Sequence, residues 1–245
     1  MAKRLAKEVA VFLDAYDPGL HTTRVMIGIV SEGLDLTVFG EAGERTTAGI
    51  RKDTLEWAGI FDDAATGGTR SMDAAAKNLI GSGARQASVL FGTGTGQTFY
   101  GGTGWHLLSA KEPARIGEIV MMETIFQGDG TWERGVTLSS GARGLVLTTG
   151  GQTGPTVDGA AATTAGGALY IHAMQFTGSG TGTTMLIAMD DSADSTTWSE
   201  KFATSFAGTT GTALRFALTG TIRRYTRQAS GTYSGGTFFV GLVRS

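Results

Sequence analysis

The side chains that could do chemistry are few and scattered. Acid–base catalysis needs two carboxylates facing each other across a cleft, and the chain offers Glu56, Asp62, Asp63, Glu118 and Glu123 in separate stretches. Asp62 and Asp63 are adjacent, so in a strand they point to opposite faces and end the strand rather than form a dyad. No Gly-x-Ser-x-Gly elbow presents a nucleophile. His21, His106 and His172 lie in different segments without paired ligand spacing, and read as ordinary surface or strand residues. Asp190, Ser192 and Asp194 have the alternating oxygens that open a calcium loop, but Ser195 replaces the needed glycine and Lys201 sits where a bidentate glutamate belongs. A hydrogen-bonded turn is expected there. Gly92-Thr-Gly94-Thr-Gly96 follows a strand as a phosphate loop would, yet strand and turn residues come next instead of the helix N-terminus that presents amides to an anion. The chain therefore reads as a non-enzyme with no catalytic residue, cofactor or metal site.

What must position these residues is mostly β-structure. The 245 residues include 39 Gly but only 3 Pro, and 17% are charged, a balance that suits strands and turns. Hydrophobic residues make up 41%, more than a chain unable to bury a core would carry. The formal charge of -2 gives no overall basic field for nucleic acid. Without cysteine there are no disulfides or thiolate sites. The apolar run after the basic start is broken by Asp14, too short for a signal peptide core or a membrane span, so a soluble, non-secreted product without a membrane partner is expected.

Period-two patterning predicts strands over 9–14, 22–30 and 34–39. In Asp53 to Phe61, Leu55, Trp57 and Phe61 fall on one face, with Thr54, Glu56 and Ala58 on the other. Gly40 to Lys52 lacks an apolar period and reads as a loop, long enough to be functional or ordered by a partner. Ser71 to Ile80 predicts one short helix, capped by Ser71 and stopped by Gly81, with Met72, Ala75, Ala76 and Leu79 on one face. Further strands are expected over 86–92, 98–110, 115–126 and 132–138. Residues 140–167, rich in Gly and Thr, read as a linker. Strands over 168–177, 184–190, 214–218, 222–228 and 237–243 then predict a sandwich. The expected class is all-β with one short helix: a first domain over 1–139, the linker over 140–167 and a C-terminal β-sandwich domain over 168–245. Composition at the junction predicts that the first domain folds alone.

The order of short motifs resembles the major tail tube proteins of long-tailed bacteriophages. The residues that carry the likeness are Val38-Phe39-Gly40, Gly49-Ile50-Arg51-Lys52-Asp53 and Gly59-Ile60-Phe61-Asp62-Asp63. Upstream, Val9 to Asp14 and the Tyr16-Asp17 turn extend it, as does the Phe126-Gln-Gly-Asp-Gly130 turn downstream. The resemblance implies a tail-tube β-sandwich or barrel domain with a flanking helix, joined into stacked rings of six chains, or of three if the second domain is a remote copy of the tube fold, that conduct phage DNA during ejection. It implies a virion tail protein assembled in the host bacterial cytoplasm. Its partners would be itself, the tape measure protein in the lumen before ejection, phage DNA in transit, and other tail proteins at the tube ends. On that reading Glu41, Glu44, Arg45, Arg51 and Lys52 are candidates for inter-ring contacts, and Glu56, Glu118 and Glu123 for the lumen. A neutral or acidic lumen is expected, because each bound phosphate adds a counterion-release term that would hold the DNA. The alternative is a carbohydrate-binding or decoration module of a phage tail, using Trp198, Tyr225 and Tyr233 of the second domain.

Overall fold

In the computed structural model the described residues are 9–14, 16, 22–35, 46–60, 79–80, 83, 85–92, 94–111, 121–128, 131–139, 153–176, 184–207, 212–230 and 236–245. They form strands β1 (Val9–Leu13), β2 (Thr22–Asp35), β3 (Thr46–Ile60), β4 (Arg85–Phe91), β5 (Thr98–Lys111), β6 (Met121–Gly128), β7 (Glu133–Thr137), β8 (Val157–Asp158), β9 (Gly167–Phe176), β10 (Thr184–Ser192), β11 (Ser199–Ala207), β12 (Thr212–Leu218), β13 (Tyr225–Ser230) and β14 (Gly236–Arg244). The all-β expectation holds. Of the predicted helix, Ser71 to Asn78 lies outside the described residues, while Leu79 is buried among first-half core residues. Among the described residues no helix is long and apolar enough to cross a membrane.

Strand β5 organises the large sheet, whose order is β12-β9-β14-β7-β5-β6-β3-β2. Its C-terminal part, from Trp105 to Lys111, pairs with β6, and its start, from Thr98 to Gly101, pairs with β7. Strand β4 also pairs with β5, and β1 pairs with β4. A single long strand thus feeds both halves of the molecule. The smaller sheet runs β11-β10-β13-β8.

Alternation along the strands shows how the layers stack. On β9 and β14, Leu169, Ile171, Val240 and Leu242 pack with Ile187, Met189 and Phe206 of the small sheet, the expected sandwich. The opposite face of the same strands, with Ala168, Tyr170, Phe239 and Val243, packs on Ala10, Phe12, Leu90 and Phe99. The other face of β1 and β4, with Val11, Leu13, Ala87 and Val89, packs on Leu55, Trp57, Leu107 and Phe126. The β1–β4 pair is therefore an inner layer covered on both sides, which is why AVFL and QASVL read as unbroken buried runs rather than half-buried alternation. Trp105 stacks near Trp132, with ring centroids 4.3 Å apart. The indole of Trp105 also fills the space where Gly102 would carry a side chain.

Several boundaries differ from the sequence reading. The division at 139 does not separate two cores: β7 pairs with β14 across it, and the cluster around Phe12 and Phe239 draws on both sides. Residues of the expected linker belong to the sandwich, since Thr153 bridges Ala229, β8 pairs with β13, Thr163 bridges Ile222 and Val157 is buried. Backbone pairing, which composition does not report, holds this stretch. Strand β2 continues through Ser31-Glu32-Gly33 with a shift of register instead of turning there. Strand β3 starts at Thr46, so the later part of the expected loop, including Arg51 and Lys52, is paired with β2. Strand β11 was not anticipated; Phe202 and Phe206 pack into the sandwich from it.

Candidate functional site

Two of the residues singled out from the sequence, Glu56 and Glu123, lie together on the outer face of β2, β3, β6 and β5. Register places Met26, Glu56, Ile125 and Ser109 in one row across these strands, and Arg24, Ala58, Glu123 and Lys111 in the next. Paired residues of antiparallel strands share a face, so Glu56 and Glu123 lie on one side of the sheet, opposite the core side chains Leu55, Trp57 and Phe126. The two carboxylates border a recess of about 60 Å³ that Arg24, Lys111 and Ile125 also line, room for a few waters. Arg24 stands 3.9 Å from Glu56. Alternating charge at close range makes the face nearly neutral and gives no carboxyl an apolar, isolated setting for acid catalysis.

Farther along, the β2–β3 ribbon runs past its cover. Met26 is 48% exposed, and the neighbours Ile29 and Val30 are 52% and 54% exposed. Consecutive strand residues point to opposite faces, so β2 carries exposed apolar side chains on both sides at Ile29 and Val30. β2 is also an end of the sheet order, and among the described residues it pairs with β3 alone. An edge strand of this length, 14 residues, is a template for pairing with another strand.

The ribbon is held at its base by Asp53, which is buried. Its carboxylate accepts two hydrogen bonds from the Arg51 guanidinium, at 2.7 and 2.8 Å, and one from the Trp132 backbone amide at 2.7 Å. The Arg51-Lys-Asp53 segment is thus an anchor, and Arg51 is engaged within its own strand rather than in a loop. Lys52 is exposed on the same strand. Glu41, Glu44, Arg45 and Glu118 lie outside the described residues.

Sequence reasoning missed two polar clusters. His172, on β9, is fully buried; its Nδ1–H donates to the Asp14 carbonyl at 2.7 Å, leaving Nε2 to accept from the Ser88 hydroxyl at 2.8 Å and the Gln86 amide at 3.2 Å. Burial pushes its pKa down to about 4, against the Asp14 hydrogen bond, which raises it. The ring ties β9 to the β1–β4 layer. The second cluster joins β7, β9 and β12: Tyr170 donates to Glu133 at 2.5 Å, and Arg215 donates to both carboxylate oxygens at 3.0 and 2.7 Å. Burial works to raise the Glu133 carboxyl, but the bonds from Arg215 and Tyr170 outweigh it and hold it below the usual range. Burial and the Glu133 charge together push the Tyr170 hydroxyl up. No short-range motif links these residues, which only long-range strand pairing brings together.

The chemistry weighed for the other motifs resolves locally. Gly92 to Gly96 lies between β4 and β5, where Gly96 donates to the Thr137 carbonyl at 2.8 Å and Gly94 accepts from the Thr137 hydroxyl at 2.7 Å. Asp194 accepts from the amides of Thr196 and Thr197 and the Ser192 hydroxyl, and these bonds lower its pKa. Among the described residues no group of three or more His, Asp or Glu is placed to hold a metal. The proposed carbohydrate platform fails on geometry: Arg227 lies over Trp198 at 4.1 Å and Arg224 over Tyr225 at 4.9 Å, so a sugar would have to displace a guanidinium. Tyr233 lies outside the described residues.

No known family and no characterised protein matches the chain at the sequence level. Its fold is similar to that of chains in solved structures. One belongs to the virion of a native gene transfer agent particle, with 18% identity over 53% of this chain and 97% of that one and a TM-score of 0.41. Another belongs to the sheath-tube complex of an extracellular contractile injection system, with 10% identity over 54% and 90% and a TM-score of 0.42. A third is the Dit protein of SPP1, a hub protein of the adsorption apparatus in phages infecting Gram-positive bacteria, with 12% identity over 96% and 98% and a TM-score of 0.36. All three TM-scores lie below 0.5, with identities of 18% or less.

Proposed function

We propose that this chain is a major tail tube subunit, a non-enzymatic virion protein that joins copies of itself into stacked rings of six and forms the conduit for phage DNA. The motif order along the sequence suggests the family. The observation that carries the assembly is the β2–β3 ribbon, whose β2 edge has no strand neighbour among the described residues, beside Ile29 and Val30, which are exposed on opposite faces. Such a strand invites pairing with another chain, and a heterologous contact closes into a ring when its rotation allows. The face that carries Glu56 and Glu123 is assigned to the lumen. There Arg24 and Lys111 balance the carboxylates, leaving little net field to retain passing phosphates. The tape measure protein would occupy that lumen before ejection, with other tail proteins at the tube ends.

Negative-stain electron microscopy of the purified protein at rising concentration tests this reading. Rings or tubes are expected, and V30K should keep the monomer's melting temperature while abolishing them, because a lysine on the edge strand blocks pairing. A protein that stays monomeric at every concentration, or tubes that form normally from V30K, would overturn it.

A further inference from the structure

A second concave site lies at the far end of the sandwich, where β5, β7 and β14 meet the segment after β8. It is a cleft of about 260 Å³ lined by Thr98, Arg134, Val136, Gly159, Leu242 and Arg244. Register explains the convergence: Thr98 and Leu242 both pair with Val136, so the three share a face, and Arg134 and Arg244 lie two residues along on the same side of their strands.

Among the described residues the charge in this cleft is not balanced. Arg244 places its terminal nitrogens on the carbonyls of Ala161 and Arg224 and near the Thr226 hydroxyl, and its guanidinium occupies the space that a side chain at Gly159 would need. Among the described residues no carboxylate bonds to it, and its buried Nε finds no hydrogen-bond partner there. Asp158 and Asp191 act on it only from a distance. Both are already engaged, Asp158 with Arg224 at 2.6 Å and Asp191 with the Arg223 backbone amide at 3.0 Å. Arg134 is exposed and makes no ion pair or hydrogen bond among the described residues. A half-buried cation held by neutral carbonyls carries a desolvation cost that a bound anion would offset.

We propose that this cleft binds a tetrahedral oxyanion of the phosphate class, held between Arg134 and Arg244 with the Thr98 hydroxyl as a further donor. A single carboxylate would be satisfied by one guanidinium fork. Two arginines and a hydroxyl supply more donors and more charge than a carboxylate can use, and a phosphate dianion matches both.

The test is a titration of the full-length protein with sodium phosphate, set against sodium chloride at matched ionic strength, following the melting temperature and the phosphorus-31 linewidth. The expected result is a saturable rise in melting temperature with phosphate alone. R134A should weaken the phosphate response at least tenfold and R134K only in part, since lysine keeps the charge and loses the fork. Arg244 is left intact because it also holds backbone carbonyls. A comparison of adenosine 5′-monophosphate with adenosine and inorganic phosphate separates the sources: tighter binding of the nucleotide than of phosphate assigns the site to a nucleotide phosphate, and equal binding assigns it to the free anion. A phosphate response no larger than that to chloride, or one unchanged in R134A, would overturn the proposal. Binding is read on the chain whether or not it assembles, so the outcome is independent of the tube assignment.

Discussion

The two outer faces of this molecule are built from the same kind of antiparallel sheet and are finished in opposite ways. On the small sheet, β11-β10-β13-β8, charge is neutralised in place: Asp190 meets Arg227 at 3.0 Å, Asp158 meets Arg224 at 2.6 Å, and the aromatic rings of Trp198 and Tyr225 are roofed by guanidiniums. At the other end, β2 has no second strand neighbour among the described residues, and Met26, Ile29, Val30 and Leu108 stand exposed near the long ion pair Arg24–Glu56. The first face has little left to offer a partner. The second has an edge strand and apolar surface together, the combination that gains most from association. The contrast teaches that two faces of one β fold can differ in what they offer a partner through the placement of charges and edges, not through the kind of sheet.

The strongest way to break the comparison is to ask whether the two faces belong to separate domains. If they did, a chain cut after Ser139 would fold and keep the ribbon. The layers predict otherwise, because Phe12, Leu90 and Phe99 would lose Tyr170, Phe239 and Val243, and β7 would lose β14. Each large side chain uncovered forfeits about 2 kcal/mol or more of burial, against a total stability of about 5–15 kcal/mol. The truncated chain is expected to show no cooperative melt by circular dichroism. A sigmoidal transition would mean that the inner β1–β4 layer needs cover on one side only.

A smaller effect should appear with pH. His172 links the β9 layer to the β1–β4 layer as a neutral ring, with a folded pKa near 4 against about 6.5 unfolded. The depressed value means that the unfolded chain binds the proton first, so this contribution is fully present above pH 6.5 and is lost as pH falls toward 4. The shift corresponds to about 3 kcal/mol. Melting temperature should therefore drop between pH 6.5 and 4 in the wild-type protein, and H172Q should flatten that slope even if it lowers stability throughout. An equal slope in H172Q would assign the acid sensitivity to carboxylates instead.

Much of this could be read in the sequence, and the failures share one cause. Alternation placed Leu55 and Trp57 inward and Glu56 outward, since those signals lie within a few residues of each other. The sandwich of the second half was legible for the same reason. What stayed hidden depended on pairing between distant segments: Gly-rich residues 153–166 joined the fold through backbone bridges, and His172 met Asp14, which is 158 residues away. At the candidate lumenal face the residue types were visible. That Glu56 and Glu123 share a recess with Arg24 and Lys111 followed only from the register of β3 with β6 and of β6 with β5.

The smallest effect sharpens the comparison from the finished side. Arg227 bonds Asp190 and covers the face of Trp198, so R227A removes an ion pair and a cation–π contact together. Both partners are partly exposed, and exposed pairs and cation–π contacts each contribute about 0.5–1 kcal/mol. Equilibrium denaturation in urea should therefore give a loss of about 1 kcal/mol, with no change in the slope of the transition, because no large surface is added to the unfolding step. The more telling readout is association. If the guanidinium roof is what keeps this face inert, R227A exposes the Trp198 ring, and sedimentation should reveal new, weak self-association even when V30K has removed pairing through the ribbon. A strictly monomeric double variant would show that the small sheet is inert for a reason other than its arginine cover, and the contrast between the two faces would then rest on the edge of β2 alone.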